Sequence, residues 1–175
     1  FNPAVHARVL TALARAARLR NTRPTGDLSG VGKFLNSDDR AIHTAAVHLV
    51  GAWKQVPQVP ALLMIAAQGD HAAFDGLVTI RGRKVVQGLK QLTAADKPIA
   101  TRQAAARALG AINLKSSLAE IFAVLKATED ANAALELWRE LLGGKGAGTA
   151  LAEGVAGAQL PKPVVTAGIR AAREG

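Results

Sequence analysis

The chain has 175 residues, enough for one domain with a sizeable core or for five to six helical repeats. Apolar residues make up 49% of it and aromatic residues only 3%, and such a core of Ala, Leu and Val fits a β-sandwich poorly and predicts an all-α fold. The absence of Cys excludes disulfide bonds, cysteine zinc sites and covalently attached haem, while the net charge of +9 raises the hypothesis of a polyanionic partner.

A pattern of two short helices recurs along the whole chain, with successive starts 27 to 36 residues apart. The predicted units lie near residues 2–36, 37–68, 69–95, 96–128 and 129–159, with the start of a sixth at 160–175. Recurrence at this interval is typical of a stacked helical solenoid. Because the chain begins at Phe1 without Met, we expect it to be a segment of a longer protein.

The first unit begins at Asn2-Pro3-Ala4-Val5-His6-Ala7-Arg8, and its first helix is predicted to run to about Arg20. One apolar stripe on that helix is formed largely by Val9, Leu10, Leu13, Ala17 and Leu19. After a turn over residues 21–26, a second helix is predicted from Asp27 or Leu28 through Leu35.

The second unit begins at Asp38-Asp39, where acidic side chains cap free backbone amides and favour the positive end of the helix dipole. Pro60 lies in the first turn of its second predicted helix, which ends near Gln68. The third unit is less regular, because Gly76, Gly82 and Gly88 fall where helix is expected. We therefore predict two short helices there, over 72–80 and 83–92, separated by a break at Arg81-Gly82.

In the fourth unit, a helix opens with Pro98 in its first turn and is predicted to close on Leu109-Gly110. A second helix follows over residues 118–125. The fifth unit starts at Glu129-Asp130, and its first helix is predicted to stop at Gly143-Gly144. A weaker helix is predicted between residues 148 and 158, and the sixth unit contributes one helix that ends near Arg173.

The unit starts share a loose motif: Asp or Asn, then Pro or a polar residue, Val or Ile, a basic residue or His, and Ala, with a closing Leu-Gly. This motif is similar to the HEAT repeat, and the resemblance covers essentially the whole chain. It implies antiparallel helix pairs stacked into a curved array, here an α-solenoid of about five HEAT-like hairpins in a single domain.

Three segments carry a narrower resemblance: residues 9–14, residues 27–32 and residues 160–170. They resemble stretches of exported haem-binding or membrane-bound dehydrogenase-like proteins of the planctomycete type. That resemblance implies a helical spacer or docking portion of a larger oxidoreductase, located outside the cytoplasm. Because Cys-x-x-Cys-His is absent, this segment is not the haem module of such a protein.

None of the familiar catalytic or metal-binding motifs is present. Lys145 in the Gly-rich run 143–149 is followed by Gly146, so the run lacks the spacing of a phosphate-binding loop and is predicted to be a turn. His43 and His48 are separated by about 140° around a helix and share an ion poorly. The acidic pairs at 38–39 and 129–130 are interpreted as helix starts rather than acid–base pairs. We predict no catalytic residue, no metal and no cofactor.

Basic residues cluster in two segments of the chain. Residues 1–36 carry six basic side chains against one acidic, and residues 76–115 carry eight against one. The densest patch, Arg81-Gly82-Arg83-Lys84, is either a solvated turn or a contact for an anion or an acidic partner. The candidate contact residues are Arg81, Arg83, Lys84, Lys90 and Lys115.

The predicted function is a non-catalytic scaffold for protein–protein or interdomain contacts, because a solenoid offers an extended surface. The alternative is a nucleic-acid-binding HEAT-like protein, such as an alkylated-base DNA glycosylase. With only six aromatic residues, and with Trp53 and Trp138 predicted to pack between repeats, platforms for stacked bases would be scarce. The longest apolar runs, such as Val59–Ala67, are too short to span a bilayer.

Overall fold

Ten α-helices and three short 3-10 segments make up the regular structure of residues 2–174, which are the residues that this computed structural model describes. No β-strand occurs within them, and the prediction of an all-α fold is confirmed. The same residues contain no helix that combines the length and apolar character needed to cross a bilayer. The chain divides into two compact units, of which the first ends at Gly88 and the second begins at Leu89.

The first unit contains four complete helices and the start of a fifth. Their bounds are α1 Pro3–Arg20, α2 Arg40–Ala52, α3 Val59–Ala67, α4 His71–Ile80 and α5 Arg83–Leu92, the last of which crosses the boundary between the units. The 3-10 segments of this unit are Ser29–Asn36 and Val56–Gln58. Helix α2 is central, since it packs against both α1 and α4, and α3 packs against α4.

Aspartate side chains start three of the helices. Asp39 Oδ1 accepts hydrogen bonds from the amides of Ala41 and Ile42 at 2.8 and 3.1 Å, and Asp70 caps α4 in the same way. Asp130 caps α8 through the amide of Ala133 at 2.7 Å. Each carboxylate satisfies amides that have no partner inside the helix, and its charge favours the positive helix end. The predicted starts at 38–39 and 129–130 are therefore confirmed.

Helices α2 and α4 approach each other at two glycines. A Cβ atom added to Gly51 would lie 2.7 Å from the Cα atom of Gly76, closer than carbon atoms tolerate. Both glycines are buried, as are Val47, Val50 and Leu77 around them. The missing side chain at residue 51 thus allows the two backbones to come into direct contact, and larger side chains fill the core on either side.

The second unit continues the helical pattern. Its remaining helices are α6 Ile99–Asn113, α7 Leu118–Lys126, α8 Ala131–Leu142, α9 Ala147–Ala158 and α10 Lys162–Glu174, and a 3-10 segment spans Lys115–Ser117. Helix α6 packs against α7 and α8, and α8 packs against α10. The core includes Trp138, whose ring lies beside Phe122 with ring centres 6.3 Å apart and whose Nε1 donates to the Val164 carbonyl at 3.0 Å. The expected packing role of this Trp is confirmed.

Two local predictions need correction. The helix expected after Asp27 is present, but as a 3-10 helix over Ser29–Asn36, and Gly30 and Gly32 within it explain why a regular α-helix does not form. Helix α6 does not end at Leu109-Gly110 but continues to Asn113. Gly110 instead leaves room for Leu141, whose Cδ2 would lie 2.6 Å from an added Cβ atom, so this glycine serves packing rather than termination.

The predicted apolar stripe of α1 is only partly right. Leu10, Ala14 and Ala17 are buried against the rest of the unit. Val9, Leu13 and Leu19, which were expected on the same face, are instead 52%, 40% and 75% exposed. The sequence pattern contains two apolar faces on one helix, and the structure buries only one of them.

We predict opposite effects for alanine at the two crossing glycines. Gly51→Ala should lower the free energy of unfolding by about 1–3 kcal/mol, because its Cβ atom would press against the α4 backbone. Gly76→Ala is the matched control: its Cβ atom would meet nothing closer than 3.5 Å, so it should be neutral or stabilise by up to about 1 kcal/mol. Urea unfolding monitored by circular dichroism measures both, and equal effects would contradict the backbone contact.

A second prediction concerns the α2 cap. Asp39→Ala should cost about 1 kcal/mol of unfolding free energy, because two amides lose their acceptor. Asp38→Ala changes the same residue type one position earlier, where the exposed carboxylate accepts no hydrogen bond from the described residues, and should stay within about 0.5 kcal/mol. Thermal unfolding compares the two, and a larger effect at Asp38 would show that the cap is misassigned.

Candidate basic interaction surface

The turn between α4 and α5 has an unusual backbone. Arg81 follows the last residue of α4 with φ 59° and ψ −169°, and Gly82 has φ 95°. The first of these conformations is one that glycine adopts readily and arginine rarely, at a cost on the order of 1–3 kcal/mol. The Arg81 amide donates to the Leu77 carbonyl at 2.9 Å, which closes α4. The predicted break at Arg81-Gly82 is thus confirmed, and it places a cation at a strained position.

The basic side chains of this turn have no acidic partner. Arg81, Arg83 and Lys84, which we call the basic turn, are all exposed, and none of them forms an ion pair with the described part of the chain. Arg83 and Lys84 also occupy the first turn of α5, where the helix dipole is already positive. Positive charge is therefore concentrated here without compensation.

Lys90 is placed differently from the basic turn. It belongs to the second unit, where its Nζ lies 2.7 Å from Glu120 Oε1 and donates to the Ser116 carbonyl at 3.2 Å. Burial is the largest single influence on Glu120 and raises its pKa, but the hydrogen bond from Lys90, a backbone hydrogen bond and the Lys90 charge together outweigh burial, so the pKa of that carboxyl is lowered. The charge of Lys90 is consequently neutralised by an ion pair that ties the last turn of α5 to α7.

Lys115 lies in a shallow groove of the second unit with a volume of about 280 Å³. Lys145, in the glycine-rich turn before α9, lines the same groove, and neither lysine forms an ion pair with the described residues. The run 143–149 was predicted to be a turn, but it is a turn only up to Gly146, because α9 begins at Ala147. Lys145 was missed as a companion of Lys115, and its position between two glycines of an exposed turn was the available indication.

A second groove of the same unit is almost wholly apolar. It has a volume of about 320 Å³ and lies among α8, α9 and α10, where it is lined by residues such as Trp138, Leu151, Val165 and Ile169. No titratable side chain lines it, and the indole nitrogen of Trp138 is already bonded to a backbone carbonyl. This groove therefore offers shape and apolar surface but no acid, base or nucleophile.

Four carboxyl groups have shifted pKa values, and each shift has a structural cause. The pKa values of Asp27, Asp96, Glu120 and Glu174 all lie below their usual range. For Glu174 the cause is hydrogen bonding from Arg139 and then from Arg170. A general acid at neutral pH needs a raised value instead. Across residues 2–174, moreover, no three His, Asp or Glu side chains lie close enough to hold a metal ion.

Most aromatic rings lie inside the protein. Trp53, Phe74, Phe122 and Trp138 are buried, and Phe34 is half-buried beside His6. Within the described chain, therefore, the basic surfaces have no exposed ring next to them on which a nucleic-acid base could stack.

No protein-family model, no curated protein and no solved structure matches this chain.

The Lys90–Glu120 pair generates a pH-dependent prediction. Because its pKa is lowered on folding, Glu120 adds stability above the ordinary carboxyl value of 4.5 and loses that contribution as the pH falls through the folded value. Glu120→Gln should cost about 0.5–1 kcal/mol at pH 7, a figure that allows for the partial exposure of both side chains. The cost should become smaller as the pH is lowered from 4.5 toward about 3, because the folded carboxyl is progressively protonated.

Glu136→Gln is the matched control, because Glu136 is exposed on α8 and forms no ion pair within the described part of the protein. It should change stability by less than about 0.5 kcal/mol at either pH. Urea denaturation at pH 7 and pH 3 measures both variants. A pH-independent effect of Glu120→Gln would show that packing, not charge, is responsible.

Proposed function

We propose that this chain is a non-catalytic helical-repeat module that binds an acidic protein partner, or an acidic neighbouring domain of a longer protein, through its basic turn. One observation carries the proposal: three exposed cations, Arg81, Arg83 and Lys84, lie at a strained turn and have no acidic partner among residues 2–174. Unpaired like charges repel one another and oppose the helix dipole. An acidic surface would relieve both costs at once.

The repeat architecture belongs to the same proposal. The first helices of successive predicted units pack against one another, α1 with α2, α2 with α4, α6 with α8, and α8 with α10, and this stacking supports an α-solenoid of about five HEAT-like units. In such an array, affinity comes from the surface of successive hairpins rather than from a deep pocket. The loose unit motif and the HEAT resemblance point in this direction as well.

We also propose that this chain has no enzymatic role of its own. The carboxyl groups with shifted pKa values all have lowered values, and hydrogen bonds and ion pairs within the fold explain them. The apolar groove among α8, α9 and α10 is lined by no acid, base or nucleophile. These features support binding over catalysis. On resemblance alone, we propose further that the chain is the helical spacer of a larger exported haem-binding or dehydrogenase-like protein, in which case the chemistry resides elsewhere in that protein.

Nucleic-acid binding is the second candidate function, and the net charge of +9 favours it. The burial of the aromatic rings weighs against a base-stacking enzyme such as an alkylated-base DNA glycosylase. The basic turn, and Lys115 together with Lys145, could still bind the phosphate groups of a nucleic acid without contacting its bases. The two candidates differ in salt dependence and in their preference for DNA over acidic peptide.

The decisive experiment compares charge removal inside and outside the basic turn. Fluorescence anisotropy of a labelled 20-residue polyglutamate peptide should show binding that weakens about tenfold in Arg83→Gln/Lys84→Gln. Lys126→Gln/Arg173→Gln removes the same net charge from exposed residues that pair with no carboxylate of residues 2–174, and should weaken binding less than about twofold. No binding of the peptide, or equal losses in both variants, would refute the proposal.

The same protein samples titrated with a labelled 20-base-pair DNA duplex distinguish the second candidate. Tighter binding to DNA than to polyglutamate, with a steep loss of affinity as salt increases, would favour a nucleic-acid partner. If acidic peptide is the better ligand, we expect DNA binding to be weaker at every salt concentration. The variant Arg83→Gln/Lys84→Gln is compared with the wild type for both ligands, so each titration tests the basic turn.

A further inference from the structure

Helix α1 presents a second apolar surface that is left exposed in the described part of the chain. Val5, Val9, Leu13 and Leu19 are 51%, 52%, 40% and 75% exposed, and we call these four residues the α1 ridge. At about 100° per residue they fall within a band roughly 120° wide, beside the face that holds the buried Leu10. The ridge extends over about 21 Å of helix, or four turns. Exposed apolar side chains arranged in this way are typical of a surface for another protein element.

The charged side chains of helix α1 itself all have one sign. Helix α1 contains no Asp or Glu, whereas Arg8, Arg15, Arg18 and Arg20 all lie on it. None of these arginines forms an ion pair with any other part of the chain that the structure describes. By helical geometry, Arg8 and Arg15 border one long edge of the ridge and Arg20 lies near its end. The surface is therefore an apolar band edged by uncompensated positive charge.

Small side chains make the same surface accessible to a helix. Ala12 is exposed and Ala16 is half-buried, and both lie within the band between the larger ridge residues. Alanine at these positions leaves shallow depressions next to the valine and leucine side chains. A second helix could therefore place its own apolar side chains at spacings of three and four residues between the ridge residues.

We propose that the α1 ridge binds an amphipathic helix of a partner protein whose apolar face is flanked by Glu or Asp. Apolar contact would supply most of the affinity, and Arg8, Arg15 and Arg20 would select an acidic rim and set its orientation. This goes beyond the proposed function, because the ridge shares no residue with the basic turn.

Two other occupants fit the same surface less well. A second copy of this chain would place one all-basic helix against another, and the like charges would repel. A lipid surface is usually contacted by Trp, Phe and Leu, whereas the described residues of α1 include no aromatic side chain other than His6. The arginines at the edge, and a ridge made of valine and leucine without aromatic rings, therefore favour an amphipathic helix with acidic flanks.

The test uses two stapled, monomeric 21-residue helices labelled with fluorescein. Both carry leucine at heptad positions a and d, and they differ only in having Glu or Lys at positions e and g. We expect anisotropy to show at least about tenfold tighter binding of the Glu helix. Val9→Ser/Leu13→Ser should weaken that binding about tenfold, while Val56→Ser/Met64→Ser, which alters two other exposed apolar residues, should leave it within about twofold.

Charge reversal provides an independent check that does not depend on the apolar residues. Arg8→Glu/Arg15→Glu should weaken binding of the Glu helix and strengthen binding of the Lys helix. The control Arg18→Glu/Arg40→Glu should change neither affinity, because Arg18 points away from the ridge and Arg40 lies on α2. Binding of the Glu helix should also survive Arg83→Gln/Lys84→Gln. That result separates the ridge from the basic turn, so either surface can fail without the other.

Several outcomes would overturn the proposal. It fails if the Glu helix does not bind, or if both helices bind equally well. It also fails if vesicles of phosphatidylglycerol and phosphatidylcholine retain the wild-type chain but not Val9→Ser/Leu13→Ser, while neither helix binds. Self-association in sedimentation velocity that disappears in the same double variant would instead assign the ridge to a second copy of the chain.

Discussion

The close approach of neighbouring helices is the constraint on which the rest of this structure depends. With few aromatic residues and much alanine, the chain can fill its cores only if helix axes come near one another. Gly51 achieves this in the first unit, where it brings two backbones into contact. Gly110 and Gly168 do the same for side chains in the second unit, because they leave space for Leu141 and Trp138. Glycine is therefore as much a packing residue here as a turn residue.

Close packing also determines which charges are paired. Where helices meet in the second unit, ion pairs join them: Lys90 with Glu120, Arg107 with Glu140, and Arg139 with Glu174. Acidic residues are few, and these contacts use several of them. Within the described chain, the arginines of α1 and the residues of the basic turn are among the cations left without an acidic partner. Several such cations lie close together along each of these two segments, which makes both surfaces candidates for recognition.

Local features were the most predictable from sequence. Asp39 and Asp130 were placed correctly as helix starts because capping depends on a side chain and the amides two or three residues later. The break at Arg81-Gly82 was placed correctly for a similar local reason.

Gly110 was misassigned because a Leu-Gly ending and a glycine at a helix contact look identical along the chain; only the position of Leu141, thirty-one residues later, distinguishes them. The division of α1 into a buried and an exposed apolar face likewise depends on what packs beside it. The same limit applies to the basic candidate residues. Lys90 differs from the basic turn because it forms an ion pair with a carboxylate on another helix, and that contact is not visible along the sequence.

The chain has two tryptophans, and one lies in each compact unit. Trp53 is buried in the first, and Trp138 is buried in the second with its indole bonded to the Val164 carbonyl. Removing either indole by substitution with Phe would leave a single native fluorophore, whose emission wavelength depends on the solvent exposure of that unit alone. The protein thus carries built-in optical reporters that can separate the melting of one half from the melting of the other without any attached dye.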